Sequence, residues 1–277
     1  MNAAARPRIA IAEALRKSWF EIWYQPKIDL KRKSLAGAEA LARIRHPELG
    51  LLQPANFLPD DGDDGLAELA QHTLLGALFD WSKFEEAGFC LRLSINVPVS
   101  VLFKLPIPRL VAQYRPQSPH WPGLILEIIE DQIARDIAPA EEIASQLRVS
   151  GISIAIDDFG AGLTSFASLR RLPFAELKID QSFVAGCATD APNAAICQTA
   201  IDLAHRFGGV AVAEGVENAA DLQTLITMGC DFGQGVLIAP PMLKRRFLDL
   251  LRQRKSKPAA PAPRHPTRAA PRTVGAV

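Results

Sequence analysis

Cysteine is scarce in this chain, and no two of its cysteines are spaced to share a metal. The four are Cys90, Cys187, Cys197 and Cys230, with no C-x-x-C pair. That excludes a zinc ribbon and argues against a disulfide frame, so buried thiols in a reducing cytosol are expected. Long apolar runs are missing too: charges interrupt each one before the ~18 residues a membrane helix needs. Arg6, Arg8, Glu13 and Arg16 scatter charge through the stretch where a signal peptide keeps its apolar core. The expected location is cytoplasmic, with no membrane span. Basic charge is thin in the body of the chain. Seven Lys/Arg and no acid follow from Leu250 onward, so the net charge of +1 conceals a mildly acidic body. DNA binding is therefore not expected. The basic tail reads as solvated and disordered, with contact to an anionic protein partner as the alternative. No G-x-G-x-x-G follows the first strand, and Gly233-Gln-Gly235 lacks the rest of that frame. No internal repeat is visible.

What the chain has is an alternation of strands and helices. At 277 residues and 48% hydrophobic, it can bury a large core. A short amphipathic helix is predicted over 9–18, and strands over 19–29 and 35–41. Residues 43–58, punctuated by Pro47, Gly50 and Pro54, read as a loop region. The acidic stretch 60–64 echoes a calcium loop but lacks its closing Glu, so a helix cap with solvated acids is the plainer reading. Helix is predicted over 66–87, 138–149, 166–172, 191–207 and 219–228. Further strands are predicted over 89–97, 124–129, 152–158, 175–180, 210–214 and 229–236. This rhythm predicts an α/β fold, a (β/α)₈ TIM-like barrel, with a doubly wound open sheet as the alternative. The expected organisation is an N-terminal helix over 1–18, one barrel domain over 19–253, and a disordered basic Pro/Ala-rich tail over 254–277.

From the second strand on, each strand ends near a polar residue: Glu39, Asn96, Glu127, Asp157 with Asp158, Lys178, Glu214 and Gln234. In a barrel the C-terminal strand ends converge on one face. Five carboxylates in one pocket cannot all stay ionised without cations, because like charges a few ångströms apart repel by kilocalories. Oxygen donors with one amide favour Mg²⁺ or Mn²⁺ over zinc, and such a set could hold two ions about 4 Å apart, the geometry of two-metal phosphoester hydrolysis. Singly, each acid reads as a helix cap or solvated group, and Lys178 as a surface lysine. On residues alone, metal-dependent phosphoester chemistry and a structural polar network both stand.

Nine segments carry a resemblance. They are Tyr24-Gln-Pro26, Glu39-Ala-Leu41 with Ala42-Arg43, His46-Pro47, Ser94-Ile-Asn-Val97, Leu126-Glu-Ile-Ile-Glu130, Asp157-Asp-Phe-Gly160, Leu177-Lys-Ile-Asp180, Ala213-Glu-Gly-Val-Glu217 and Gln234-Gly235. In this order, over roughly 19–243, the chain resembles the EAL-domain family, the cyclic-di-GMP phosphodiesterases. The resemblance implies a barrel with one strand of altered direction near its start. It implies hydrolysis of cyclic di-GMP to linear pGpG with two Mg²⁺ or Mn²⁺ ions, and inhibition by Ca²⁺. By position, Glu39, Asn96, Glu127, Asp157, Asp158 and Glu214 would be metal ligands. Lys178, Glu214 and Gln234 would serve catalysis. Gln25, Leu41, Arg43 and Asp158 would hold the dinucleotide, and Glu130 would anchor the loop after the Asp-Asp pair. A homodimer is implied on the same ground. With 18 residues before the first strand, a stand-alone domain is expected.

The sequence also departs from the family pattern. Where the loop usually reads Asp-Phe-Gly-Thr-Gly-Tyr-Ser-Ser, this chain has Asp158-Phe-Gly-Ala-Gly-Leu-Thr-Ser165. Ala161 removes a hydroxyl and Leu163 replaces an aromatic ring. Ile129 stands for the usual Thr, and Val236 for the usual Tyr. None of these removes an expected ligand. They keep two alternatives open: a receptor that binds the dinucleotide with weak or no cleavage, and a protein-interaction scaffold. The phosphodiesterase class built on His-Asp metal pairs is disfavoured, because no adjacent His-Asp occurs.

Overall fold

The computed structural model describes residues 9–58, 65–135, 137–161 and 171–255. The acidic stretch 60–64, most of the helix expected over 166–172, Leu163, and the tail from 256 lie outside those residues.

Helix α1 (Ile11–Arg16) precedes β1 (Phe20–Asp29), β2 (Ser34–His46), β3 (Gly50–Leu52) and a 3-10 turn (Pro54–Asn56). Helix α2 (Leu66–Glu86) leads to β4 (Arg92–Asn96), then α3 (Val99–Lys104), α4 (Ile107–Tyr114) and β5 (Leu124–Ile129). Helices α5 (Glu130–Arg135) and α6 (Ile137–Val149) lead to β6 (Ile152–Phe159). There follow β7 (Glu176–Ile179), α7 (Gln181–Val184), α8 (Ala191–Arg206), β8 (Val210–Ala213) and α9 (Ala219–Met228). The described chain ends with β9 (Phe232–Gly233), β10 (Met242–Leu243) and α10 (Lys244–Lys255).

Eight strands close into a barrel in the order β1, β2, β4, β5, β6, β7, β8, β9 and back to β1. From β2 to β9 neighbouring strands are parallel, whereas β1 runs antiparallel to both of its barrel partners. This is the TIM-like barrel with one altered strand near its start. Short β3 and β10 add antiparallel pairings outside the ring.

The register explains why strand ends meet. Glu39 pairs with Ser94, so Asn96 stands two residues further up β4. Asn96 is level with Glu127. Glu127 pairs with Ala155, which again lifts Asp157 by two residues. Lys178 pairs with Val212, lifting Glu214 likewise. Such stagger is what tilts strands in a closed barrel, and it carries the polar residues round one rim.

The loop expected over 43–58 is corrected. β2 runs on to His46, and the chain turns at Gly50 (φ 74°) into β3. The alternation Ala42, Ile44, His46 continues the strand, and Ile44 pairs with Leu52 over a small apolar cluster with Ile11, Phe57 and Leu69. Proline and glycine mark the turn here, not a loss of structure. Helix α10 also escapes a composition-based reading. Its basic residues hide Phe247 and Leu251, both fully buried. Helix α2 presents a buried stripe of Leu74, Ala77, Leu78, Trp81 and Phe84 at helical spacing. Cys187, Cys197 and Cys230 are buried and Cys90 is half-buried. Among the described residues, no helix is long and apolar enough to cross a membrane.

Candidate functional site

Lys178 sits at the centre of the barrel mouth, 1% exposed. Its Nζ donates to Glu127 Oε2 at 2.6 Å and lies 2.7 Å from Glu214 Oε1, 2.9 Å from Asp157 Oδ1 and 4.0 Å from Glu39 Oε2. Three more strands tighten the ring. Asn96 Nδ2 donates to Glu39 Oε1 at 2.6 Å, and Gln234 Nε2 donates to Glu39 Oε2 at 2.6 Å and to Gln25 Oε1 at 3.1 Å. Residues expected from strand ends thus meet in one network. Strand alternation sends each side chain inward, and the apolar residues that flank it hold the backbone.

One lysine among so many carboxylates leaves an excess of negative charge, and the acid strengths record it. Burial and the neighbouring Glu127 push Glu39 up to about 7. Burial likewise drives Glu214 well above the usual carboxylate range. Asp158 is raised to about 6 by burial, Asp157 and Asp180. Glu127 goes the other way: burial opposes its charge, but Lys178 and Lys27 outweigh burial and hold it down at about 2. An excess of buried carboxylates over cations is what a bound cation would relieve.

Asp157, Asp158 and Glu214 can each offer one oxygen, with all three oxygens within 4.8 Å of one another. That set fits one hard divalent cation, and the absence of His and Cys disfavours zinc. Asp158 has φ 54°, a left-handed conformation an L-residue adopts at a cost of about 1 kcal/mol. The next turn is fixed from below, where Gly160 N–H donates to Glu130 Oε2 at 2.9 Å. Glu130 thus reaches the loop it was expected to anchor. At Gly160 (φ 101°) a Cβ would lie 2.9 Å from the Phe183 ring, so glycine is required there. Ala161 is exposed.

Above the ring lies an open cavity of about 1070 Å³. Gln25, Leu41, Arg43 and Asp158 all line it. Glu39, Leu41 and Arg43 are alternate residues of β2, which puts them on one face. Arg43 is 8% exposed and donates through Nη1 to the Ala42 carbonyl at 2.8 Å. Several wall residues were not singled out from sequence. Gln53 and Phe57 come from the region expected to be loop, Thr73 from α2 and Asp180 from the end of β7. Also missed was a second buried lysine, Lys27, one layer below the mouth and paired with Glu176. The available signal was its place two residues from Gln25 on the same strand face.

Against known proteins, the EAL domain model matches residues 8–241. The chain belongs to the EAL-domain family. It is 36% identical over 239 residues to the cyclic di-GMP phosphodiesterase PA2567 of Pseudomonas aeruginosa, a match covering 84% of this chain and 40% of that protein. It is 32% identical over 262 residues to the cyclic di-GMP phosphodiesterase RocR of the same organism, covering 90% of this chain and 64% of RocR. The chain therefore spans less than two thirds of either curated relative. Among solved structures, the PaMucR phosphodiesterase in its c-di-GMP complex superposes with a TM-score of 0.78 at 32% identity, covering 86% of this chain and 97% of that one. The EAL enzyme Bd1971, with cAMP and cyclic-di-GMP bound, gives 0.78 at 30% identity, covering 87% and 67%.

Proposed function

We propose that this EAL barrel is a metal-dependent phosphodiesterase that opens cyclic di-GMP to linear pGpG. The observation that carries the reading is the over-acidic ring around Lys178 at the floor of a cavity of about 1070 Å³. Solved relatives of the same fold hold c-di-GMP, and this chain keeps every expected ligand. Glu39, Asn96, Glu127, Asp157, Asp158 and Glu214 would hold two Mg²⁺ or Mn²⁺ ions, with calcium binding but blocking turnover. When bound, such ions withdraw charge from the phosphoryl oxygens and make water more acidic.

The protein's own groups do the rest. Lys178, already fixed by three carboxylates, neutralises charge that develops on the phosphoryl group. Glu214, the ring member at 18% exposure, lines the cavity and in its ionised form would take a proton from the attacking water. Gln234 is locked between Glu39 and Gln25 and orients that water. Gln25, Leu41 and Arg43 hold the dinucleotide, Arg43 by charge-assisted contact to phosphate or guanine. Glu130 keeps the Asp158 turn in place through Gly160.

The test is to incubate the folded protein with cyclic di-GMP and Mg²⁺ or Mn²⁺ at about pH 8, near the operating range of such chemistry, and separate products by chromatography. Metal-dependent pGpG is the expected result; no turnover with either metal sinks the reading. A second reading, a receptor that binds without cutting, is favoured by Ala161 in the anchored loop. Calorimetric binding with intact substrate would select it. A homodimer is proposed on family resemblance, and sedimentation checks it.

A further inference from the structure

The interior of a barrel of this kind is normally filled by branched apolar side chains. One layer below the mouth this barrel instead carries Lys27, 3% exposed, and Glu176, 2% exposed. Lys27 Nζ donates to Glu176 Oε2 at 2.5 Å. Taking two charges out of water costs several kcal/mol per ion, and apolar replacements are often neutral or stabilising. Stability is thus a poor reason for the pair to be there. Its position supplies another. Lys27 Nζ is also 3.8 Å from Glu127 Oε1. Among the described residues that oxygen is buried and accepts no hydrogen bond. The other oxygen, Oε2, is held by Lys178 at 2.6 Å. The carboxylate of Glu127 therefore faces a lysine on each side, Lys178 in hydrogen-bond contact above and Lys27 in ionic contact at 3.8 Å below.

We infer that Lys27 is a positioning residue: it fixes the plane of the Glu127 carboxylate beneath the metal site, and Glu176 is there to make a buried lysine tolerable. The terminal torsion of a glutamate is broad and twofold, so without Lys27 the carboxylate loses one of the groups, Ser94 being another, that limit its turning about Lys178. Only the altered direction of β1 makes this possible. The strand enters the barrel with Gln25 at the rim and Lys27 two residues deeper on the same face.

Two effects of removing Lys27 have opposite signs, and this makes the inference testable. If Lys27 acted only through its charge, deleting a cation near the ring would tighten metal binding. If it positions Glu127, deletion weakens binding by the about 10- to 100-fold that loss of an outer partner typically gives. Removing Lys27 and Glu176 together changes no net charge, so in the double variant the positioning effect is the one that is read.

The experiment is Mn²⁺ titration of the nucleotide-free protein by calorimetry, for wild type, Lys27→Met, Glu176→Gln and the double variant. The inference rests on the metal-dependent reading. A wild type that binds no Mn²⁺ refutes that reading, whereas a wild type that binds with variants that bind equally refutes only the role of Lys27. The double variant removes the lysine and its partner together, with Arg92 left as the cation that faced Glu176, and so carries the test even where Lys27→Met does not fold. Weakened Mn²⁺ binding in the double variant, with its thermal midpoint at or above wild type, is the expected result. Unchanged or tighter binding overturns the inference. So does equal weakening by Glu176→Gln alone, which leaves Lys27 in place.

Discussion

Tyr24 and Gln25 are neighbours on β1, yet they enter two polar networks of opposite character. Tyr24 faces outward and donates to Asp80 Oδ2 at 2.9 Å, while Lys244 Nζ donates to Asp80 Oδ1 at 2.7 Å. One acid meets one cation and one hydroxyl. The Tyr24, Phe84 and Phe247 rings pack around it with centroids 5.0–5.6 Å apart, clamping α10 to the barrel. Gln25 faces inward, into a ring where one lysine meets carboxylates from β2, β5, β6 and β8. The outer network is closed: its charges match and each acceptor oxygen of Asp80 is used. The inner one is open, for its carboxylates outnumber its cations. Matched partners mark a fastener, and burial with mismatched charge fits the proposed cation site.

The largest effect is expected at the inner network. Lys178→Ala should lower kcat by about 10²–10³-fold, the range seen when one donor to a developing charge is lost. A chromatographic assay of pGpG at saturating Mn²⁺ reads it, with a thermal melt to show that the variant is folded. An active Lys178→Ala protein breaks the contrast outright, since the lysine would then be only another fastener.

Proton linkage comes next. The folded-state acidity of Glu39, about 7, lies above its ordinary value of 4.5, and that of Asp158, about 6, above 3.8. The folded protein therefore binds more protons than the unfolded chain in those windows. Stability from these two groups is complete below their ordinary values and is lost as pH rises through about 6 to about 7. Glu127, held at about 2, works in the opposite sense at lower pH. A divalent ion must displace the same protons, so Mn²⁺ affinity should rise with pH, by up to about tenfold per unit for each proton displaced. Thermal melts in chelator and in Mn²⁺ at pH values on either side of that window check this. A metal-induced gain in Tm that does not grow with pH removes the proposed competition.

A smaller, purely structural effect is expected at the outer network. Asp80→Ala leaves the buried Tyr24 hydroxyl unpaired, a loss of about 1–3 kcal/mol. At about 2–4 °C per kcal/mol for a chain of this size, the melt should show it clearly, while kcat well below Tm stays at the wild-type value. Loss of activity without loss of Tm would reverse the assignment of the two networks.

The same contrast explains what was legible in the sequence. Glu39, Glu127, Asp157 and Glu214 stood out because each is a charge at the end of an apolar strand, a local anomaly that needs no partner to be noticed. The ring they form followed once a barrel was assumed. Lys27 with Glu176 and Asp80 with Lys244 were not legible, because each is a pairing across 149 and 164 residues between side chains unremarkable on their own. Strands β3 and β10 escaped for a related reason. At three and two residues they have too little alternation to read, and only their pairing with β2 and β1 makes them strands. Helix α10 was hidden by a local signal that pointed elsewhere, since its charge masked the apolar face set by Phe247 and Leu251.

The smallest effect concerns the hinge between the two behaviours, the turn after Asp158. Glu130 holds it through the Gly160 amide, and Gly160 rests against Phe183. Ala161 follows, exposed and with no hydroxyl to add to that hold. Restoring the family's threonine with Ala161→Thr offers one more hydrogen bond, worth about 1 kcal/mol. If that energy is realised in the transition state, kcat rises by up to about fivefold. If it only stiffens the resting loop, Tm rises and kcat does not. The two outcomes assign the loop to the open network or to the closed one. A wild type that binds cyclic di-GMP without cutting it, joined to an Ala161→Thr variant that cuts, would place the boundary between receptor and enzyme at this one side chain.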